Sequence, residues 1–284
     1  MPEPANQHAI CRGAVLLPLI PLGVALLLSL GQSDLLGFTL INTWARRLPD
    51  ALWTALSSIG NGWVCLAIAI PLLQVAPRLF VAALYSGLFA GITSQVLKHA
   101  IEKSRPAALL DPANLHIIGD PLFNHAIPSG HTLTAFTLAS GLYFAITIKR
   151  RHYYRWFFLL AGLTGLARIA VGAHWPQDVA AGMAAGLFCG LGGAALTRWL
   201  HSDRPWVSRY RCPLALSAGF ACVLMLAWEP LDFPIDGPFQ RAGAFALALV
   251  LLYHAIQSPS RQRDSDMPKV DVPQMNTPDT AAFG

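Results

Sequence analysis

Charge is what this sequence is short of. Lys, Arg, Asp and Glu make up 12% of its 284 residues, about half of the roughly 25% usual in soluble domains. That leaves too little polar surface to keep a body of this size in water. Disorder of the whole chain is excluded as well, because disorder needs low hydrophobicity and high charge. Here 54% of the residues are hydrophobic and the mean hydropathy is +0.47. Cysteine is scarce: Cys11, Cys65, Cys189, Cys212 and Cys222. They are scattered, odd in number and free of any CxxC pair, so neither a disulfide framework nor a zinc site is indicated. There is no internal repeat. The composition points to a polytopic membrane protein.

A spanning helix needs about 20 mostly apolar residues. Eight stretches approach this: 13–30, 54–75, 79–97, 132–148, 156–173, 179–200, 213–228 and 242–256, the last two being short. The first is read as a retained span, because its apolar run is too long for a signal peptide and no A-x-A site follows. The glycines in GLFCGLGGAA, from Gly186 onward, argue for close helix packing and not for breaks. The expected fold is therefore all-α, a polytopic transmembrane helical bundle. It divides into a cytoplasmic N-terminus (1–12), a six-span core (13–200), a C-terminal two-span hairpin (201–256) and a disordered tail (257–284) rich in Pro, Asp, Ser and Thr. Segment 32–53 is expected as an interfacial helix. Segment 99–129, with Pro106, Pro112, Pro121 and Pro128, is expected as a polar loop.

Basic residues set the orientation. With eight spans and the N-terminus inside, 13 of the 20 Lys and Arg fall on the inner side, among them the cluster Lys149, Arg150, Arg151 and Arg155. The net charge of +5 is thereby explained without nucleic acid.

Three clusters then fall at outer span ends on one side. The first runs from Lys98 to Arg105 and Pro106, the second is Pro128-Ser129-Gly130-His131, and the third runs from Arg168 through His174 to Asp178. Lys98, Arg105 and Arg168 offer three positive charges near one depth, where ionisable residues are costly and usually functional. Arg presents a planar fork suited to phosphate oxygens, and Lys a point charge. Ser129 and Gly130 precede a helix whose free N–H groups and dipole favour an anion. His174 and Asp178 are four apart and share a face if that stretch is helical, although Pro176 leaves the helix start open. A carboxylate on one ring nitrogen fixes the tautomer and frees the other for attack. His131 beside the cradle is placed to protonate a leaving alkoxide. These are the parts that phosphoryl transfer needs.

The pattern K-x6-RP, PSGH and R-x5-H-x3-D resembles the three-part signature of the type 2 phosphatidic acid phosphatase superfamily. The resemblance covers Lys98 to Asp178 by motif and 13–200 by span layout. It implies a nucleophile at His174 that forms a phosphohistidine, with Asp178 orienting it and His131 as the acid. It implies phosphate ligands at Lys98, Arg105 and Arg168, with Ser129 and Gly130 completing the cradle. It also implies a reaction without a metal or other cofactor. One departure is Ala167, where the family often has Ser; that removes a hydroxyl from the edge of the site. Lys103 is read as an accessory surface charge, and His99, His116 and His125 as solvated loop histidines. The two C-terminal spans carry no assigned role.

The expected function is an integral membrane lipid phosphatase. Its substrate would be a phosphomonoester or diphosphate of a membrane lipid: undecaprenyl diphosphate first, then phosphatidic acid, phosphatidylglycerophosphate or diacylglycerol diphosphate. Alternatives are a lipid A phosphatase, a lipid phosphotransferase and, from another class, an anion transporter. The last gives no reason for His131 or for the His174–Asp178 spacing. A bacterial inner membrane is expected, with the site on the periplasmic face. The expected partners are the phosphorylated lipid and surrounding membrane lipids.

Overall fold

Uninterrupted runs of Leu, Ala, Val, Ile and Gly leave the backbone one economical way to satisfy its own polar groups in an apolar medium, and that is the helix. The computed structural model describes residues 12–30, 32–200, 205–229, 231–233 and 237–266. Among them every regular element is helical. The helices are α1 (Leu19–Leu28), α2 (Ser33–Ala45), α3 (Asp50–Ser58), α4 (Gly62–Ala69), α5 (Leu72–Val75), α6 (Pro77–Ala100), α7 (Pro106–Leu109), α8 (Gly130–Ala145), α9 (Arg151–Tyr154), α10 (Trp156–Ala170), α11 (Pro176–Trp199), α12 (Pro205–Trp228) and α13 (Gly237–Asp266). α13 thus continues past 256 to Asp266. Residues 1–11 of the expected N-terminal segment (1–12) and 267–284 of the expected tail (257–284) lie outside the described residues.

By length and composition α6 and α11 can each cross a membrane, and two bent pairs bring the number to at most four. One bent pair is α3 with the stretch through α4 and α5, turned by 61°. α8 with 16 residues and α10 with 15 are shorter. Outward faces are strongly apolar: Leu27, Ile92, Val96 and Phe245 are each at least 60% exposed. Surfaces of that kind belong against lipid and not against water. The chain is a membrane protein, all-helical among the described residues.

α8 lies at the centre. Eleven of its residues are buried, from Thr132 to Ala145, where it packs against α6, α10 and α11. Glycines on α11 make the closest of these contacts. A Cβ on Gly186 would stand 2.5 Å from the Leu133 carbonyl oxygen, and one on Gly182 would stand 2.8 Å from that of Ser129. The glycine run therefore serves helix approach, as its composition indicates. α12 and α13 pair with each other and bury Ala215, Cys222, Leu247 and Leu251 against Ile70 and Leu73. α2 is anchored through one buried side chain. Buried Asn42 donates from Nδ2 to the carbonyls of His116 at 2.8 Å and Ala170 at 3.1 Å.

Candidate active site

Three separate stretches meet at one end of α8. The first leaves α6 at Lys98 and runs extended. Ala126 N–H donates to the Lys103 carbonyl and Arg105 N–H to the Phe123 carbonyl, both at 2.9 Å. Pro106 opens α7, a position that suits proline and holds the preceding residue extended; Arg105 sits at φ −83°, ψ 167°. The second stretch is buried from Ala126 to Ser129. Ser129 N–H donates to the Asp178 carbonyl at 2.9 Å, and its hydroxyl accepts from Thr132 Oγ1 at 3.0 Å. The capping option open to Ser129 is not taken. A Cβ on Gly130 would lie 3.6 Å from Lys98 Nζ. The ammonium group thus stands against a helix start whose first N–H groups have no intrahelical partner.

The third stretch explains its own spacing. Arg168 lies in the last turn of α10, and its carbonyl accepts from the N–H groups of Ala173 at 3.1 Å and His174 at 3.2 Å. Gly172, at φ +78°, supplies the left-handed turn that closes this loop. His174 therefore comes back beside Arg168. Pro176 starts α11, and the Oδ2 of Asp178 accepts the Trp175 N–H at 2.9 Å. The pair meets across a helix N-terminus and not on the face of a continuous helix. Trp175 Nε1 donates to the Ser104 carbonyl at 2.9 Å, joining the third stretch to the first.

His174 is 2% exposed and Asp178 fully buried. Arg105 Nη1 is 3.2 Å from His174 Nε2. A guanidinium only donates, so Nε2 carries the lone pair and Nδ1 the proton. Nδ1 faces Asp178 Oδ2 at 3.5 Å, beyond hydrogen-bond length. Burial first, then Arg105, Arg168, His131 and Lys98, hold the His174 imidazole well below its ordinary titration range. It is neutral at pH 7. Arg105 is buried and also donates to the carbonyls of Asn124 at 2.7 Å and Ala173 at 3.1 Å. Arg168, equally buried, donates from Nη1 to Ser57 Oγ at 2.7 Å, and its Nε has no hydrogen bond. Lys98, Arg105 and Arg168 stand close enough to repel one another. Such a cluster is costly unless an anion joins it.

His131 is half-buried in the first turn of α8. Its Nε2 is 2.9 Å from Asp232 Oδ2, and Asn61 Nδ2 donates to the same oxygen at 2.9 Å. Asp232 comes from the segment between α12 and α13. Burial pushes its carboxyl up. The hydrogen bond and charge of His131, the Asn61 donor and the charge of Arg168 outweigh that and hold it at about 2. All eight residues marked by the sequence patterns thus lie in one connected cluster.

Three expectations need correction. Lys103 is no surface charge: its Nζ is 2.9 Å from Asp34 Oδ2, 3.1 Å from Asp178 Oδ1 and 2.6 Å from Gln177 Oε1. A cation inside the first motif is drawn to the acid of the third. His116 is held to Asp50 Oδ1 at 2.9 Å. His125, although exposed, is held to the Lys98 carbonyl at 3.1 Å. Neither is merely solvated, because the loop that carries them folds back onto the site. Ala167 is fully buried beside Ala45 and Trp53. Asp34, Ser57, Asn61 and Asp232 escape a reading of the sequence, for they belong to no motif.

A helical membrane protein that gathers cations and imidazoles from distant segments around one buried point belongs to the class with enclosed anion-binding sites. Residues 79–204 match the model of the PAP2 superfamily, and the chain belongs to that superfamily. Among curated relatives, a lipid A 1-phosphatase of Rhizobium etli is 34% identical over 117 residues, which cover 39% of this chain and 46% of that one. An undecaprenyl-diphosphatase of Sulfolobus acidocaldarius is 26% identical over 151 residues, or 51% of this chain and 69% of that one. The chain spans about half the length of the lipid A 1-phosphatases it matches. A solved structure, LpxE of Aquifex aeolicus, is 30% identical, with 55% of this chain and 91% of that one covered and a TM-score of 0.49.

Proposed function

We propose that the protein is an integral membrane lipid phosphatase that removes a phosphate from a lipid through a phosphohistidine on His174. The observation that carries this reading is a buried, neutral imidazole whose Nε2 lone pair faces Arg105 at 3.2 Å. Nε2 attacks phosphorus, Asp178 holds the Nδ1 side, and His131 protonates the departing oxygen. Lys98, Arg105 and Arg168, with the N–H groups that open α8, stabilise the charge on the transferring group. Water then releases phosphate from His174.

A lipid substrate is supported by a groove of about 390 Å³ lined by Leu66, Phe80, Leu84 and Leu88. Its polar end at Ser94 and Thr134 adjoins Gly130, whose carbonyl accepts from Thr134 Oγ1 at 3.0 Å. A lipid lying there presents its headgroup to the cradle and its chain to the groove. Six spans would then form the core and α12 and α13 two more. The site would face the outer, periplasmic side of a bacterial inner membrane. The sequence alone favours undecaprenyl diphosphate. The relatives matched at higher identity are lipid A 1-phosphatases, so lipid A 1-phosphate stands first.

The test is phosphate release by the purified protein in detergent with EDTA. The panel is lipid A, undecaprenyl diphosphate, phosphatidic acid and phosphatidylglycerophosphate. Release from at least one lipid is expected, together with an acid-labile phosphoryl label that His174→Ala lacks. No release from any lipid, or release that survives His174→Ala, rejects the reading. A phosphorylated lipid product in place of free phosphate identifies a phosphotransferase.

A further inference from the structure

α12 and α13 lie beyond residues 79–204, yet the segment between them enters the site. Asp232 gives one carboxylate oxygen to two donors, His131 Nε2 and Asn61 Nδ2, each at 2.9 Å. Asn61 stands at the bend between α3 and α4. Gly60 lets that bend approach so closely that a Cβ there would lie 2.5 Å from the His131 carbonyl oxygen. Next to Asp232, Phe233 is 5% exposed and its ring lies 5.9 Å from the Arg168 guanidinium. Two segments outside the motifs, the α3–α4 bend and the α12–α13 connection, therefore meet beside one imidazole.

We propose that Asp232 is a positioning residue for His131, holding its Nε2–H so that Nδ1 is the nitrogen that exchanges a proton with the substrate. The proposal rests on the phosphatase reading and deepens it. In the first step the His174 Nε2 lone pair forms a bond to phosphorus. The bond from phosphorus to the leaving oxygen breaks with its electron pair on that oxygen. The Nδ1 proton of the His131 imidazolium then passes to it. In the second step water attacks phosphorus, its proton returns to His131 Nδ1 and the P–N bond breaks. The charged groups that face His131 are Arg168 from α10, Lys98 from α6 and Asp232, with the imidazole of His174 also near. Burial first, and then the two cations, oppose an imidazolium, whereas the carboxylate favours it. Asp232 thus supplies both aim and proton affinity, as the carboxylate of a catalytic triad does for its histidine.

The experiment compares full-length wild type, Asp232→Asn, Asp232→Glu and Asn61→Ala in detergent. Substrates are the lipid phosphate that the wild type turns over fastest and p-nitrophenyl phosphate, whose leaving group needs little protonation. Asn keeps an acceptor for Nε2–H but removes the charge. Asp232→Asn is expected to lower kcat on the lipid about 100-fold with KM changed less than threefold. Its alkaline limb should move to lower pH, and the loss on p-nitrophenyl phosphate should stay below tenfold. Asp232→Glu should restore the limb and part of the rate. Wild-type kcat and an unmoved limb in Asp232→Asn overturn the proposal. So does a rise in activity with a lower KM, which would mark the carboxylate as a competitor of substrate phosphate. If Asp232→Asn does not fold, Asn61→Ala decides. It leaves the carboxylate but removes one of its two donors. A several-fold fall in kcat at constant KM supports the proposal, and unchanged kinetics overturn it. Inactivity of the wild type on every lipid instead refutes the phosphatase reading itself.

Discussion

At the scale of single residues, the proposed phosphohistidine makes His174 the group with no substitute. It is neutral, buried and backed by Asp178, and its Nε2 lies 3.2 Å from Arg105 Nη1. His174→Ala is expected to lower kcat by at least about 10⁴-fold, as removal of a nucleophile does elsewhere, measured by phosphate release. Arg105→Lys keeps the charge but loses the fork that at present reaches Asn124, Ala173 and His174 at once. A fall in kcat/KM of about 100-fold or more is expected, and near-normal kinetics would refute the cradle. The buried imidazole also ties stability to pH. Below pH 6.5 the unfolded chain protonates His174 and the folded chain does not, so stability falls as pH drops from that point. Asp232 adds to the loss between its ordinary 3.8 and about 2. Tm in detergent should therefore decline from pH 7 to pH 5, and His174→Gln should flatten that slope.

These residues differ in how legible they are in the sequence. Arg168, His174 and Asp178 are readable because one turn and one helix start set their spacing locally. The reason for the spacing is not readable. It is the left-handed Gly172 and the reach of Asp178 to the Trp175 N–H, in place of a shared helical face. Asp232 is 101 residues from His131, and an acid between two apolar runs carries no periodicity to announce such a contact. The contacts of Lys103 are hidden for the same reason, since its partners Asp34 and Asp178 come from elements far away in the chain.

At the scale of elements, the glycines of α11 decide how deep α8 sits, and α8 carries Ser129, Gly130 and His131 at its start. Gly186→Ala places a methyl 2.5 Å from the Leu133 carbonyl oxygen and 2.7 Å from Phe136 Cβ. Backbone cannot swing aside as a flexible side chain can. A loss of about 1–3 kcal/mol is expected from this overpacking, read as a lower Tm in detergent. Gly162 on α10 has nothing within 4 Å of its added Cβ, so Gly162→Ala should leave Tm unchanged or raise it slightly. The two glycines look alike in the sequence, and both fit a general rule of small residues in membrane helices. Only the packing separates them. The helical class and the approximate positions of the long elements follow from hydropathy, because an apolar run of that length admits little else. The 61° break between α3 and α4 does not, because Gly60-Asn61 inside an apolar stretch reads equally well as a packing site. That break is what brings Asn61 to Asp232.

At the scale of the whole molecule, charge and site make one joint statement about orientation. The basic cluster Lys149, Arg150, Arg151 and Arg155 follows α8 at the end opposite His131, so under the positive-inside rule the proposed orientation puts the site on the outer face. A lipid phosphate in the outer leaflet then reaches the cradle without crossing the bilayer, whereas one in the inner leaflet does not. Single cysteines test this in a chain whose own five cysteines are replaced by serine. Cys65, Cys189 and Cys222 are buried, so their replacement is checked by retained activity. Asp120 and Arg150 are both exposed and lie on the loop beside the site and in the basic cluster. In intact bacterial cells with a permeable outer membrane, a membrane-impermeant maleimide should label Asp120→Cys and spare Arg150→Cys until the inner membrane is lysed. The reverse pattern would place the site in the cytoplasm. It would leave the chemistry of His174 intact but exclude every substrate confined to the outer leaflet, because the same residues would then face a different pool of lipid.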